Sequence, residues 1–377
     1  MNLSRSLAIV AALGAALPGC SKKPEAAAKA STPTDATAAA PTPAPAAEAP
    51  AAAKVPTVLA PGVRAVALPG APADGAVPMD YIAYDAAHHR VWVPAGKTGS
   101  VDVIDTADDK LTRIEGFPTA EMERNGKKRT VGPSAAAVGG GLVYVGNRGD
   151  SSICAFDAAT LAKKSCLKLD SMPDGIQVVT SRKEVWVTTP RDQGIQIIDA
   201  SAPDALKLKE KLHFDGEPEG FAVDEKRGVF FTNLEDKDKT LVIDLKSRKT
   251  THTWEPHCGE DGPKGLAFDQ ALDLLVVACP EHVIALDVAH EGKQLSSLDT
   301  GDGVDGIDYV ESRHELFVGA AHVARLTVAT LDNKGQLTAR TVVATATGAR
   351  NAVATESGTA YLTDSPEGRV LIVAPVK

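Results

Sequence analysis

The chain has 377 residues, 44% of them hydrophobic and 24% charged, which is ample material for a large buried core. Aromatic residues make up only 4%, so Val, Ile, Leu and Ala must do the packing. A formal charge of -9 with no long basic run argues against nucleic acid as the main partner, because an acidic surface repels phosphate.

Residues 1–20 carry a basic start at Arg5, an apolar stretch from Leu7 to Leu17 and small residues before a cysteine, which is the layout of an export signal. The run Leu17-Pro18-Gly19-Cys20 resembles a bacterial lipobox, which implies a signal peptide over 1–20 and acylation of Cys20; Ser21 after it implies transfer to the outer membrane. The apolar stretch is too short to span a bilayer as a helix, so the only membrane contact expected is the lipid. Residues 21–60 are Ala/Pro-rich, including PTPAPAAEAPAAAKVP, and have no apolar period. Such a segment cannot bury enough surface to offset its ordering entropy and is expected to be a disordered tether. At about 3 Å per residue it reaches on the order of 100 Å. A lipid-anchored, periplasm-facing protein of the bacterial cell envelope follows as the expectation.

The folded part is expected over 61–377. It begins with an isolated strand, VRAVAL (63–68), and then repeats one unit, most legible over 216–256. There, four short apolar or β-branched runs (220–223, 229–232, 241–245 and 250–254) are separated by charged, Gly, Asn and Asp turn residues, the pattern of four antiparallel strands joined by hairpins. FFT and LVI are continuous apolar stretches, so these strands should be covered on both faces by neighbouring units. Positions equivalent to Gly220 fall at Asp80, Ala135, Gly175, Gly220, Gly265, Gly306 and Asn351, in steps of 55, 40, 45, 45, 41 and 45 residues. A period of roughly 40–45 residues with four strands per unit specifies an all-β fold, a seven-bladed β-propeller of four-stranded antiparallel blades. The last unit, 350–373, stops after its third strand, so VRAVAL is expected to complete the last blade, closing the ring and removing exposed sheet edges.

The long first step comes from an insertion over 115–132, whose Arg124, Lys127, Lys128 and Arg129 form the one concentrated basic patch; a solvated loop is expected there. Asp105, Asp157, Asp199, Asp244 and Asp287 each end a third strand, where an Asp side chain accepts from the amides of the following turn. Four cysteines remain after Cys20, and an even count in an exported protein points to disulfides. Cys154 and Cys166 flank a turn centred on residue 160 and should face each other across a hairpin. Cys258 precedes a first strand and Cys279 ends a second strand on the same face, which pairs them.

In this architecture the loops entering first strands share one face with the turns between second and third strands, around a central channel. Gly at the anchor suits strands that crowd the axis. The residues before the anchors, Met79, Ser134, Asp174, Glu219, Lys264, Asp305 and Arg350, should project into the mouth, with Asp80, Glu217, Asp261, Asp302 and Asn351 nearby. Acids outnumber bases, giving a polar funnel suited to a small cation, amine or peptide. The match of residues 301–306 to G-x-G-x-x-G is followed by a strand instead of a helix and carries no nucleotide site. Arg148-Gly149-Asp150 reads as a hairpin turn. The nine histidines show no metal-ligand spacing, and no G-x-S-x-G is present.

At YVGNRGDSSICAFD (144–157) and FFTNLEDKDKTLVID (230–244) the chain resembles the YVTN-type β-propeller repeat, and is similar to exported YncE-like proteins from about residue 63 to the C-terminus. Asn147 and Asn233 stand at the motif's Asn, whereas Thr189, Pro94, Cys279 and Ala320 replace it elsewhere. The resemblance is specific for fold; the regular ring, the lipid tether and the lack of a catalytic constellation lead to the expectation of a non-catalytic binding or scaffold lipoprotein without cofactor, a monomer, that recognises an envelope protein or a small polar ligand. Two alternatives stay open on the same resemblance. One is a lactonase-like hydrolase holding a divalent cation such as calcium at the mouth through Glu219, Asn351 and Asp174 or Asp305; the other is nucleic-acid binding.

Overall fold

The unit around Gly220 folds into the strands Pro218–Asp224, Val229–Leu234, Lys239–Asp244 and Thr250–Trp254, paired antiparallel in that order. Phe230 and Phe231 point to opposite faces of the second strand and both are fully buried, as the continuous apolar run requires. Six further four-stranded sheets repeat this arrangement, and together they form a seven-bladed β-propeller in the computed structural model, which describes residues 58–72, 75–124 and 126–375. The export signal, Cys20 and the tether through residue 57 lie outside the described residues.

The ring closes as expected. Val63–Ala67 pairs antiparallel with Arg369–Val373, running from Val63 opposite Val373 to Ala67 opposite Arg369, and so forms the outer strand of blade 7 beside Ala349–Ala354 and Ala360–Asp364. Each junction between blades holds its own apolar cluster. At the closing junction Tyr361, Val370 and Ile372 of blade 7 pack on Val91 and Val93 of blade 1. At the opposite side Trp186 and Ile197 of blade 3 pack on Phe230 and Ile243 of blade 4, with the Trp186 and Phe230 rings stacked at 4.6 Å.

The five strand-ending aspartates act as turn caps. Asp105, Asp157, Asp199, Asp244 and Asp287 accept from the amides of Ala107, Thr160, Ser201, Ser247 and His290 at 2.6–3.2 Å. The insertion departs from its reading as a loop: Ala120–Arg124 and Lys127–Val131 form a two-stranded hairpin of their own. Asn125-Gly126 is a two-residue hairpin signature, and Gly126 has the positive φ of 71° that such a turn needs.

Both disulfides are formed as paired in the sequence. Cys154 and Cys166 are opposite one another in the third and fourth strands of blade 2, and Cys258 joins Cys279. The sequence separations of 12 and 21 residues correspond to about 3 kcal/mol each by loop-closure entropy. Replacing Cys154 and Cys166 together by Ser is therefore expected to lower the thermal midpoint by several degrees in a differential scan, and an unchanged midpoint would contradict the pairing.

Candidate functional site

The inner strands converge on the axis through their anchor residues. Gly220, at φ +65°, packs against Gly265 so closely that a Cβ would strike the Lys264 carbonyl oxygen. Gly265 in turn meets Gly306, and Gly306 meets Asn351. Asn351 adopts φ 52°, which Asn tolerates, and it joins three blades: its Oδ1 accepts from the Gly306 amide at 2.7 Å, and its Nδ2 donates to the carbonyl and Oδ1 of Asp80 at 3.2 and 3.1 Å. Crowding at the axis is thus what the anchor glycines answer.

Around this ring the structure gathers four carboxylates: Asp80, Asp174, Glu219 and Asp305. Arg148 stands between two of them, donating from Nη2 to Asp80 Oδ2 at 2.8 Å and pairing with Asp174, while its Nε donates to the Pro173 carbonyl at 3.3 Å. Arg350 pairs with Asp305 at 3.0 Å. Tyr81 reaches from blade 1 across the channel, and its hydroxyl donates to Glu219 Oε1 of blade 4 at 2.6 Å. Tyr81 follows Asp80 at the start of blade 1, where its amide donates to the Ser134 carbonyl and its own carbonyl accepts from Ala136.

The charges act on one another at short range in a mouth only partly open to water, with the Asp174 and Asp305 side chains 12% and 19% exposed. Burial, then the charges of Asp174, Asp305 and Asp80, push the Glu219 carboxyl well above the usual carboxylate range. Burial also raises Asp174, against the pull of Arg148, and raises Asp305 to about 6 against the pull of Arg350. Burial and the Glu219 charge raise the Tyr81 phenol. For Arg148, burial works against the guanidinium and the Asp174 and Asp80 charges more than offset it. Asp174 is 9% exposed and its Oδ2 is buried with no donor, and its carboxyl stands near enough to that of Glu219 for the two charges to act on each other. Two carboxyls in that relation need a shared proton or a cation between them.

Of the residues expected at the mouth, Asp80, Asp174, Glu219, Asp305, Arg350 and Asn351 come together. Lys264 turns to pair with Glu235, and Glu217 stays exposed with its amide donating to Asp236 Oδ1 at 2.7 Å. Met79 is buried in the junction between blades 7 and 1, since its neighbours there are Val77, Ile82 and Val93. Ser134 is also buried, with its hydroxyl unpartnered. Arg148 and Tyr81 were not singled out in the sequence for the mouth. The place of Arg148 in a turn between second and third strands, on the anchor face, was the signal for the first; Tyr81 had none beyond its position next to an anchor.

Most carboxylate oxygens at the mouth are engaged by Arg148, Arg350, Asn351 and the Tyr81 hydroxyl, which leaves Asp174 Oδ2 as the one buried carboxylate oxygen without a donor there, and among the described residues no three His, Cys, Asp or Glu side chains converge as metal ligands.

The same physics fixes a pH dependence. Burial also raises Asp102 to about 6, with Arg113 Nε 3.1 Å away opposing the shift. Asp102 and Asp305 have ordinary values of 3.8, so between about pH 4 and 6 the folded chain holds more protons than the unfolded one, and stability falls as pH rises through that window. Each is on the order of 2–3 kcal/mol less favourable once ionised. Turn caps such as Asp157, Asp199 and Asp244 are lowered by hydrogen bonds to the turn, and their contribution is lost only below about pH 4. The thermal midpoint should therefore be highest near pH 4 and lower at pH 7.5, and Asp102→Asn should shrink that difference; a midpoint rising steadily from pH 4 to 7.5 would contradict it.

No protein-family model matches the chain, and no curated protein matches it either. Among solved structures, one titled as a crystal structure of the mitotic checkpoint complex aligns with a TM-score of 0.68 at 13% identity, covering 91% of this chain and 99% of that one. Hydrazine synthase from Kuenenia stuttgartiensis aligns with a TM-score of 0.65 at 15% identity, covering 81% of this chain and 97% of that one. At such identities the likeness concerns the fold alone: the chain is a seven-bladed β-propeller with an ion-lined channel mouth.

Proposed function

We propose that the protein is a non-catalytic binding lipoprotein of the bacterial cell envelope, a YncE-like propeller of YVTN type held to a membrane through acylated Cys20 and the Ala/Pro-rich tether. Its recognition site is the channel mouth, and what it recognises is a cationic group, an amine or guanidinium, on an envelope protein or a small polar ligand. The observation that carries this reading is Asp174 Oδ2, buried without a donor beside Glu219, at a place where the two arginines are already engaged. An incoming ammonium replaces the shared proton and satisfies both carboxyls. The acidic mouth and the net charge of -9 disfavour phosphate backbones. The outer edges of the blades are short strands, and a monomer is proposed.

Proximity labelling in intact cells, with the labelling enzyme fused at the C-terminus, tests this. A reproducible set of envelope neighbours is expected, lost when Asp174→Asn and Glu219→Gln are combined. Neighbours unaffected by that pair of changes would remove the mouth from the account, and stoichiometric calcium in the purified protein would restore the hydrolase.

A further inference from the structure

The channel does not end at the mouth. Tyr81 of blade 1 and Phe221 of blade 4 meet across it, ring centroids 5.5 Å apart, just inside Glu219. On their far side lies a cavity of about 500 Å³ lined by inner-strand residues of all seven blades, a volume within the range that holds a small organic ligand. Small residues such as Ala83, Ala137 and Ala352 at the inner strands leave this space open.

The lining is one-sided in charge. It includes the rings of Tyr84, Phe221 and Tyr309 and the carboxyls of Asp308, Glu311 and Glu356, and no Lys, Arg or His among the described residues lines it. The three carboxyls have neutral donors only: Asp308 accepts from the Ala354 amide at 2.7 Å, Glu311 from the Ala271 amide at 3.1 Å and Glu356 from the Tyr84 hydroxyl at 2.9 Å. The hydroxyls of Tyr84 and Tyr309 are committed to Glu356 and Asp269, so what these residues add to the cavity is ring surface.

We propose that this half of the channel is a second binding site, separate from the mouth, for a small organic monocation with an aromatic body. Carboxylates without a cationic partner attract the charged end, and the rings receive both the apolar body and, through their negative faces, the charge itself. An anion of the same shape meets only repulsion, and a hydrated metal ion gains nothing from the rings. Burial raises the Asp308 carboxyl, which is the state that an unpaired acid takes while no cation is beside it.

Calorimetric titration of the full chain with tryptamine and with indole-3-propionate tests the site. Tryptamine is expected to bind once per chain and at least tenfold more tightly than the anion, with at least a tenfold loss on Asp308→Asn and again on Ile307→Trp, which fills the cavity. Glu356→Gln, a second conservative change, should also weaken binding should Ile307→Trp fail to fold. Equal affinity for the two probes, no binding of tryptamine, or binding indifferent to both Asp308→Asn and Glu356→Gln would overturn the proposal; the last result would place the amine at the mouth.

Discussion

A chain that begins at Leu68 is expected to lose on the order of 5 kcal/mol of stability and to aggregate, whereas one that begins at Val58 should melt like the full chain. The strand Val63–Ala67 contributes five cross-strand positions to blade 7, and each backbone hydrogen bond is worth about 1 kcal/mol net. Its removal turns Arg369–Val373 into an edge whose sequence, RVLIV, is a nearly unbroken apolar run. Such an edge templates pairing with other chains. The strand also holds the closing junction from outside, because Arg64 forks onto Asp109 of blade 1 through Nε and Nη2. Size-exclusion chromatography and a thermal scan of the two truncations check this; equal midpoints would mean that the ring does not need the strand.

Replacing Arg148 by Met should cost about 3 kcal/mol at pH 7.5, towards the lower end of what breaking a buried ion pair costs, since the Arg148 side chain is 27% exposed. Asp80 and Asp174 lose their shared counter-charge while Glu219 stays beside them, so two or three acids face one another with little water. The loss should be smaller at pH 5, because carboxyls raised by burial and mutual repulsion take up protons there and cease to repel. Arg148→Lys keeps the charge but not the fork that reaches Asp80, Asp174 and the Pro173 carbonyl together, and should recover only part of the stability. Chemical denaturation of the three proteins at both pH values measures this, and an equal loss at pH 5 and pH 7.5 would show that Arg148 does not neutralise the cluster.

The blades were legible because each is a local event. Alternating turns and apolar runs set four strands within about 40 residues, and FFT and LVI announced burial on both faces before any neighbour was known. The closing strand, the disulfide of Cys154 with Cys166 and the five aspartate caps follow from the same count, since each depends on a fixed position within the unit. The mouth was legible only in part. The repeat says which residues reach the axis, and six of those expected meet there, but it does not say where a long side chain ends. Lys264 pairs with Glu235 of the preceding blade, and from there its charge still acts on Asp305 at the mouth. Arg148 sits in a turn of blade 2 and ends between carboxylates of blades 1 and 3, a distance in sequence of 68 residues to one and 26 to the other. Such contacts belong to the ring as a whole. The far cavity is not legible in the sequence for a related reason: Asp308 reads as one more strand residue until seven inner strands are set around it.

The mouth can be tested without knowing its ligand, by following the side-chain carboxyl NMR signals of Asp174 and Glu219 through a pH titration of the unliganded protein. One proton held between the two should appear as a Glu219 carboxyl that titrates far above its ordinary value of 4.5. If both carboxyls titrate in the usual range near 4, no vacancy for a cation exists at the channel mouth.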